Sequence, residues 1–269
     1  MSELVETAFA KLNLALHVRE KMGDGYHRIE TLFVFCEDGD QLTAEPADAV
    51  SLEIVGPFAA ELQGQSNLVS DAAAALRKAS GTHAGAKLHL TKNLPIGSGL
   101  GGGSADAAAA LRLLNRLWGL NWPKEKLEPI ARQLGSDVSP CLYSLPMRGE
   151  GRGDELAPVE LGLADCPVLL INPRTALSTA DVFAKWDEVD RGPLEAWPSG
   201  RNDLEQPASE LAPLVPTILA WLSAQPGVES ARMSGSGATC FALFDSERAR
   251  NDAAEAVPRE WWRLATRLR

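Results

Sequence analysis

The stretch TKNLPIGSGLGGGSADAAAALRLLN, residues 91–115, places several glycines directly in front of an alanine-rich amphipathic run. Glycine costs conformational entropy to order, and it is used where the backbone needs a left-handed turn or a close approach. Apolar residues then recur at helical spacing, which predicts a helix from about Ser104 to Trp118 with Ser104 as its N-cap. Such a loop presents N–H groups and the positive end of a helix dipole, so the sequence predicts an anion site, most commonly for phosphate.

Two common phosphate-binding motifs fit this loop poorly. Residues 97–102 satisfy G-x-G-x-x-G, the motif of a dinucleotide site. That motif normally lies in a βαβ unit, between a buried parallel strand and a helix that leads into a second strand. Here the strand before the loop alternates, and the helix after the loop is followed by another helical pattern. A Walker A loop ends in Lys followed by Ser or Thr, whereas this loop ends in Gly103-Ser104. A flexible linker or an unusual turn is the alternative, although Pro95 and the amphipathic helix bracket the loop.

Composition narrows the class of protein. With 269 residues, 45% of them hydrophobic and 23% charged, the chain is long enough for one large domain or two ordinary ones. The formal net charge of -10 argues against a nucleic-acid partner, yet it allows a small phosphorylated ligand. No apolar segment reaches the length of a membrane span and the acidic N-terminus is unlike a signal peptide, so we expect a cytoplasmic protein without a membrane partner. The dispersed cysteines predict neither disulfides nor a metal site.

Strand and helix patterns occur in both halves of the chain. Residues 8–18 alternate, with leucines on one face and Lys11, Asn13 and His17 on the other, which predicts a half-buried strand. The elements lack the regular alternation of a doubly wound parallel sheet, so we predict an α+β protein with lobes at 1–160 and 161–269. The other predicted strands are 29–36, 40–45, 50–55, 86–91, 168–172, 228–233 and 239–244; the helices are 67–79, 104–118, 123–134, 178–186, 211–224 and 246–256, with another helix entry at 134–142; and 145–160 is a hairpin.

The sequence of the glycine loop, P-x-G-x-G-L-G-G-G-S before a helix of small residues, resembles the ATP-binding loop of the GHMP small-molecule kinases. Further segments occur in the order found in that family: AKLNLALHV (10–18) followed by DGYH (24–27), LGSDVSPCL (134–142), NDLE (202–205) and SGSGATCFAL (234–243). The resemblance covers nearly the whole chain. It implies a two-lobed GHMP-kinase-like α+β fold, with an N-terminal ribosomal-protein-S5-domain-2-like lobe and a C-terminal ferredoxin-like lobe.

The resemblance also implies an activity, the transfer of the γ-phosphoryl group of ATP, with Mg²⁺, to a hydroxyl of a small metabolite. The segments are most similar to the family members whose acceptor is the 2-hydroxyl of 4-diphosphocytidyl-2-C-methyl-D-erythritol, in non-mevalonate isoprenoid precursor synthesis. Two alternatives stay open. One is a GHMP kinase for another small alcohol, of the homoserine or mevalonate type, and the other is a non-catalytic nucleotide-binding protein. Either a monomer or a homodimer agrees with the sequence.

The resemblance implies that Lys11 and Asp137 are the catalytic residues. Lys11 would neutralise charge on the transferred phosphoryl group and keep a carboxylate ionised. Asp137 would orient the acceptor hydroxyl and accept its proton, a role in which position matters more than strong basicity. Each residue also has a plainer interpretation, because Lys11 fits a solvated lysine on a half-exposed strand, and Ser136 or Asp137 fits a helix cap.

The resemblance further implies which residues bind the two substrates. Tyr26 would stack on the cytidine base, His27 would hydrogen-bond it, and Phe183 would close its other side, although Phe183 equally fits the buried face of a helix. Asn13 would contact the acceptor. No residue is predicted to bind Mg²⁺ directly, and the turn at Gly235–Gly237 fits either an approach to the site or a plain β-turn. The residues assigned to ATP are Pro95, Gly97, Gly99, Leu100, Gly101, Gly102, Gly103 and Ser104.

One segment departs from the family pattern. Where the family usually has a Gly-Gly turn after the Asp137 motif, this chain reads SLPMRGEGRGDEL, residues 144–156. The departure concerns the shape of the predicted hairpin and not the predicted catalytic pair.

Overall fold

The computed structural model describes residues 4–269, and the chain divides into two compact units, each discontinuous in sequence. Unit 1 comprises the chain up to Ala10, Asp38–Ile96 and Gly101–Ser144, and unit 2 comprises Lys11–Glu37, Gly97–Leu100 and Leu145–Arg269. Two long strands, β1 (Leu4–Lys21) and β2 (His27–Ala47), pair with each other and contribute residues to both units. The boundary near residue 160 stays a prediction.

The strands of unit 1 form a mixed ladder. β3 (Val50–Val55) runs parallel to β4 (Gly85–Thr91), and β4 runs antiparallel to residues 41–47 of β2. Leu88 and Leu90 are fully buried while Lys87 is exposed, the alternation of a strand that is covered on one face.

The helices of unit 1 are α1 (Leu68–Ser80), α2 (Gly102–Leu117), α3 (Lys124–Leu134) and α4 (Val138–Tyr143). The Asn67 side chain accepts the Val69 N–H and so caps the start of α1, and Gly81, with a φ of 70°, is the C-cap that follows its last residue. Helix α2 packs against both α1 and α4. Its fully buried alanines, Ala107–Ala110, leave room for these neighbours to come close.

Unit 2 contains a hairpin and an antiparallel sheet. The hairpin joins β5 (Met147–Glu150) to β6 (Glu155–Pro158), and β5 also pairs with residues 31–33 of β2. The sheet has the strand order β10-β7-β9-β8. Its strands are β7 (Pro167–Asn172), β8 (Val228–Met233), β9 (Cys240–Phe244) and β10 (Trp262–Arg267), and the helices are α5 (Thr179–Ala184), α6 (Glu205–Leu211), α7 (Leu214–Ser223) and α8 (Glu247–Ala256).

One apolar cluster forms the core of unit 2. Alternate residues of β7 and the apolar stripe of α7 meet in it, as Leu169 and Ile171 do with Val215 and Ile218. Leu16 of β1 belongs to the same cluster. Because Leu16 is packed into this cluster, the polar residues that alternate with it along β1 are held in fixed positions.

Most predicted elements are present, but several details differ from the prediction. The strand over 8–18 is not half-buried but buried on both faces, because its polar residues find internal partners. The two strands predicted at 29–36 and 40–45 are one continuous strand, β2. Helix α6 and strand β10 were not predicted, because α6 is short with an internal Pro207 and β10 is a short segment that contains two arginines.

The start of α2 also differs from the prediction. The helix begins at Gly102 with Gly101 as its N-cap, so the prediction that Ser104 caps it is wrong. The reason lies in the φ of 63° at Gly101, a left-handed conformation that glycine adopts at little cost.

All four cysteines are free thiols. Within residues 4–269, none of the helices combines the length and the apolar character that crossing a bilayer requires.

Candidate active site

Lys11 lies on β1 in unit 2 and is only 3% exposed. Its Nζ donates a hydrogen bond to Asn13 Oδ1 over 2.7 Å and lies 5.5 Å from the centroid of the Phe33 ring. A buried ammonium group requires polar partners, because its desolvation is costly. The interpretation of Lys11 as a solvated strand lysine is therefore wrong.

Asn13 is the centre of a hydrogen-bonded chain that orients Lys11. The Asn13 Nδ2 donates to Thr31 Oγ1 over 2.7 Å, and Thr31 Oγ1 donates to the carbonyl of Ala15 over 2.7 Å. The backbone N–H of Asn13 donates to Ser234 Oγ over 3.1 Å. Each polar atom has a defined role, so Asn13 presents its Oδ1 to the ammonium in one orientation.

The first part of the glycine loop, residues 97–100, is fixed beside Lys11 by the backbone. The Lys11 N–H donates to the carbonyl of Leu100 over 3.0 Å. Ser234 Oγ donates to the carbonyl of Gly99 over 3.0 Å. The loop is thus hydrogen-bonded to β1 and to the segment 234–238, and the interpretation as a flexible linker is wrong.

Gly99 shows how closely segment 234–238 approaches this loop. A Cβ at position 99 would lie 2.3 Å from the carbonyl oxygen of Ser234 and 2.9 Å from the N of Gly237, and the φ of Gly99 is +77°. Both the space and the backbone conformation therefore require glycine there. Of the two interpretations of the Gly235–Gly237 turn, this contact favours the approach to the loop.

The second part of the loop begins α2 in unit 1. Gly102, Gly103 and Ser104 occupy the first turn, and no side chain caps it. The first N–H groups of a helix lack intrahelical acceptors, and here they coincide with the positive end of a 16-residue dipole. This turn has the character of an anion site.

Asp137 occupies the N-cap position of α4 in unit 1 and is half-buried. Its side chain makes no capping hydrogen bond to α4. The plainer interpretation of Asp137 as a capping residue therefore lacks the bond that defines a cap. Lys11 and Asp137 belong to different units, and their pairing stays a prediction.

Two of the three residues predicted to hold a base, His27 and Phe183, form an aromatic cluster with Trp186 in unit 2, whereas the ring of the third, Tyr26, packs against an arginine. Tyr26 is 55% exposed, and the Arg152 guanidinium lies 4.0 Å from the centroid of its ring. His27 stacks on Phe183, with Trp186 against the edge of the imidazole. Desolvation lowers the pKa of His27 from its ordinary value of 6.5, with the nearby charge of Lys21 as a second cause. The structure brings His27 and Phe183 together, as the resemblance implies.

Several residues that support the site were not predicted as site residues. Asn202, within the NDLE segment, donates from Nδ2 to the carbonyls of Met233 and Gly235 over 2.8 Å each. Its neighbour Asp203 accepts the N–H of Val18 over 2.8 Å. The NDLE motif therefore stabilises both β1 and the 234–238 segment by hydrogen bonds. The signal for it in the sequence was that NDLE occurs at its expected place in the order of motifs of the GHMP kinases.

The described residues, 4–269, contain no group of three or more His, Cys, Asp and Glu side chains arranged to hold a metal ion. A cation that is bound chiefly through phosphate oxygens and water needs no such group, and Mg²⁺ is usually bound in that way.

Two models of one protein family match the chain. The model of the GHMP kinases N terminal domain matches residues 67–144, and the model described as GHMP kinases C terminal matches residues 185–264.

Relatives with one name match over nearly the full length. The 4-diphosphocytidyl-2-C-methyl-D-erythritol kinase of Rhizorhabdus wittichii is 50% identical over 277 residues, which cover 98% of this chain and 94% of that protein. The protein of the same name from Novosphingobium aromaticivorans is 47% identical over 275 residues, which cover 99% and 93%. A crystal structure of a 4-(cytidine 5'-diphospho)-2C-methyl-D-erythritol kinase matches with a TM-score of 0.85 and 32% identity, covering 99% of each chain.

Proposed function

This chain belongs to the GHMP kinase family, and we propose that it transfers the γ-phosphoryl group of ATP to the 2-hydroxyl of 4-diphosphocytidyl-2-C-methyl-D-erythritol. The predictions of an α+β GHMP-kinase fold and of an ATP-dependent small-molecule kinase are confirmed. The observation that carries the rest of the proposal is the hydrogen bond from the backbone N–H of Lys11 to the Leu100 carbonyl, which fixes the backbone of this buried lysine beside the glycine loop.

The triphosphate of ATP would bind along the glycine loop. The uncapped first turn of α2 offers N–H groups and a dipole, and the glycines at 97, 99 and 101–103 leave the backbone open to a bulky anion. Pro95, Leu100 and Ser104 flank or complete this loop. Mg²⁺, when bound with ATP through the phosphate oxygens, would neutralise charge on the phosphates.

Lys11 and Asp137 would carry the chemistry. Phosphoryl transfer depends mostly on position and on electrostatic stabilisation, since its transition state is loose. The Lys11 ammonium is oriented by Asn13 and would stabilise the charge on the equatorial oxygens. The Asp137 carboxylate would orient the acceptor hydroxyl and accept its proton late in the transfer.

The arrangement along β2 supports a long acceptor. His27 and Thr31 are four residues apart and lie on one face of the strand, about 13 Å from each other at the rise of an extended chain. His27 belongs to the aromatic cluster, and Thr31 accepts a hydrogen bond from Asn13 beside the ammonium of Lys11. A base held at the cluster would leave a sugar alcohol near Lys11, whereas homoserine or mevalonate would have no use for the aromatic residues. A cytoplasmic monomer or homodimer without a nucleic-acid partner is part of the same proposal.

A coupled assay of ADP release tests the proposal. The purified chain is incubated with Mg-ATP alone, then with 4-diphosphocytidyl-2-C-methyl-D-erythritol, homoserine or mevalonate in turn. We expect ADP release that requires the cytidylyl acceptor, with the phosphate found on its 2-hydroxyl. Turnover with homoserine or mevalonate instead would assign another acceptor, and ATP binding without turnover on any acceptor would indicate a nucleotide-binding protein.

A further inference from the structure

A buried ion cluster lies in unit 1, behind the first turn of α2. Lys92 is 2% exposed and is placed between two buried carboxylates, those of Asp40 on β2 and Asp106 on α2. The Lys92 Nζ donates to Asp40 Oδ2, and to Asp106 Oδ2 over 2.6 Å. These residues come from three separate segments, so the cluster fixes the start of α2 against the strands of unit 1.

The cluster also controls the backbone on both sides of the loop. Asp40 Oδ1 accepts the N–H groups of Asn93 and Leu94 over 2.6 and 2.8 Å, which fixes the chain where it enters the loop. On the other side, a Cβ at Gly102 would lie 3.0 Å from the Nζ of Lys92. The ammonium is therefore packed directly against the first turn of α2, and Asp106 follows one turn later.

The charges of the cluster do not balance when all three groups are ionised, because one ammonium faces two carboxylates. Asp106 Oδ1 is buried and has no hydrogen-bond partner among residues 4–269. Burial is the main cause that raises the pKa of Asp106, from 3.8 to about 7; Lys92 opposes the rise, and Asp40 adds to it. A proton on Asp106 makes the cluster neutral, and its loss leaves a buried negative charge beside the helix start.

The buried residues of the other helices packed against α2 are uncharged, so Asp40 and Lys92 are the charged groups that govern the ionisation of Asp106. Their buried faces are apolar apart from one serine hydroxyl; the buried residues are Val69, Ala72, Ala73 and Leu76 on α1, Leu127, Ile130 and Ala131 on α3, and Val138, Ser139, Pro140, Cys141 and Leu142 on α4.

We propose that Asp40, Lys92 and Asp106 are positioning residues that fix the first turn of α2 for the triphosphate of ATP and couple ATP binding to protonation of Asp106. The proposal rests on the proposed function only in taking this turn as part of the ATP site. ATP brings negative charge to the turn, and this charge disfavours an ionised carboxylate behind it. Linkage is reciprocal, so ATP binds more weakly once Asp106 is ionised, and ATP binding draws a proton onto Asp106.

Isothermal titration calorimetry with Mg-ATP alone tests this coupling, at pH 6 and pH 8 and in two buffers of different ionisation enthalpy. We expect the wild-type affinity to fall about fivefold or more from pH 6 to pH 8, with proton uptake on binding at pH 7–8. In Asp106→Asn, whose amide has the same shape and cannot ionise, both the fall and the uptake should be lost. Asp71→Asn, at an exposed position in the first turn of α1, is the matched control and should behave as wild type.

The outcomes are distinct. Asp106→Asn with the wild-type pH dependence and proton uptake would overturn the coupling while leaving the kinase proposal intact. Wild type that binds ATP at both pH values without proton uptake would overturn it too, and this measurement needs no variant to fold. Wild type that binds no ATP at either pH would overturn the proposed function and this inference together.

Discussion

The imidazole of His27 stacks on the ring of Phe183, with centroids 4.8 Å apart and an angle of 29° between the planes. Trp186 meets the imidazole edge-on at 5.6 Å and is itself buried. A flat group that entered this cluster would find one aromatic face already in place. Phe183 packs against the apolar core of unit 2, so that face has a fixed orientation.

Replacement of Phe183 should therefore weaken the binding of the acceptor and leave the binding of ATP unchanged. Stacking of a base on an aromatic side chain contributes about 1–3 kcal/mol, so we expect Phe183→Ala to raise the KM for the cytidylyl acceptor between about 5-fold and 150-fold. Steady-state kinetics with each substrate varied in turn measures the effect, and Phe183→Tyr, which keeps the ring, is the control. An acceptor KM that stays at the wild-type value in Phe183→Ala would remove Phe183 from the site.

Asp137→Asn keeps the shape of the side chain and removes the carboxylate. If Asp137 accepts the proton of the acceptor hydroxyl, kcat should fall by about 10²–10⁴-fold while the affinity for ATP stays nearly unchanged. Single-turnover kinetics and ATP binding by calorimetry separate the two effects. Wild-type turnover in this variant would exclude Asp137 from the proton transfer.

Lys11→Met removes the buried ammonium and keeps an unbranched chain of similar length. We expect kcat to fall about 10²–10³-fold, because the transition state loses a charge that was already oriented by Asn13. Lys87→Met, at an exposed position on β4, is the matched control and should keep wild-type kinetics. A loss of thermal stability without a loss of kcat would instead assign Lys11 to the core of unit 2.

The fold could be predicted from sequence where periodicity and turn chemistry agree, as they do for the helix over 67–79 and for the 145–160 hairpin. The burial of the polar residues of β1 was predicted wrongly. Alternation of Lys11 and Asn13 with leucines is typical of a solvated face, yet both are buried, because functional polar residues with internal partners produce the same pattern.

The buried cluster around Lys92 had no signal in the sequence. Asp106 stands within an alanine-rich helix, where an acidic residue commonly faces water, and its partner Asp40 is far away along the chain. Only the packing of α2 on the strands brings them together. The glycine loop, in contrast, could be recognised at once, because left-handed backbone conformations and close contacts restrict the choice of residue to glycine.

Two glycines of the loop should respond differently to alanine. Gly99→Ala forces a Cβ to within 2.3 Å of the Ser234 carbonyl oxygen, so we expect a lower melting temperature together with poor ATP binding. Gly103→Ala meets nothing nearer than Leu68 Cδ1 at 3.8 Å and gains helix propensity, so stability should be kept or increased. If the triphosphate approaches this backbone, Gly103→Ala still raises the KM for ATP, as calorimetry and kinetics together would show. Gly103→Ala with unchanged ATP affinity would place the triphosphate away from residue 103.

Asp106→Asn should change how the stability of the protein depends on pH. In the wild-type protein the pKa of Asp106 rises on folding from 3.8 to about 7, so the folded state binds the proton more tightly than the unfolded state. The contribution of Asp106 to stability therefore falls as pH rises through this window, and the variant lacks that fall. We expect the melting temperature of Asp106→Asn, relative to wild type, to increase from pH 5 to pH 8, by about 2–4 °C for each kcal/mol of stability. Calorimetric melts at several pH values measure this difference, with Asp71→Asn as the reference, and a difference independent of pH would show that folded Asp106 does not titrate as inferred between pH 5 and pH 8.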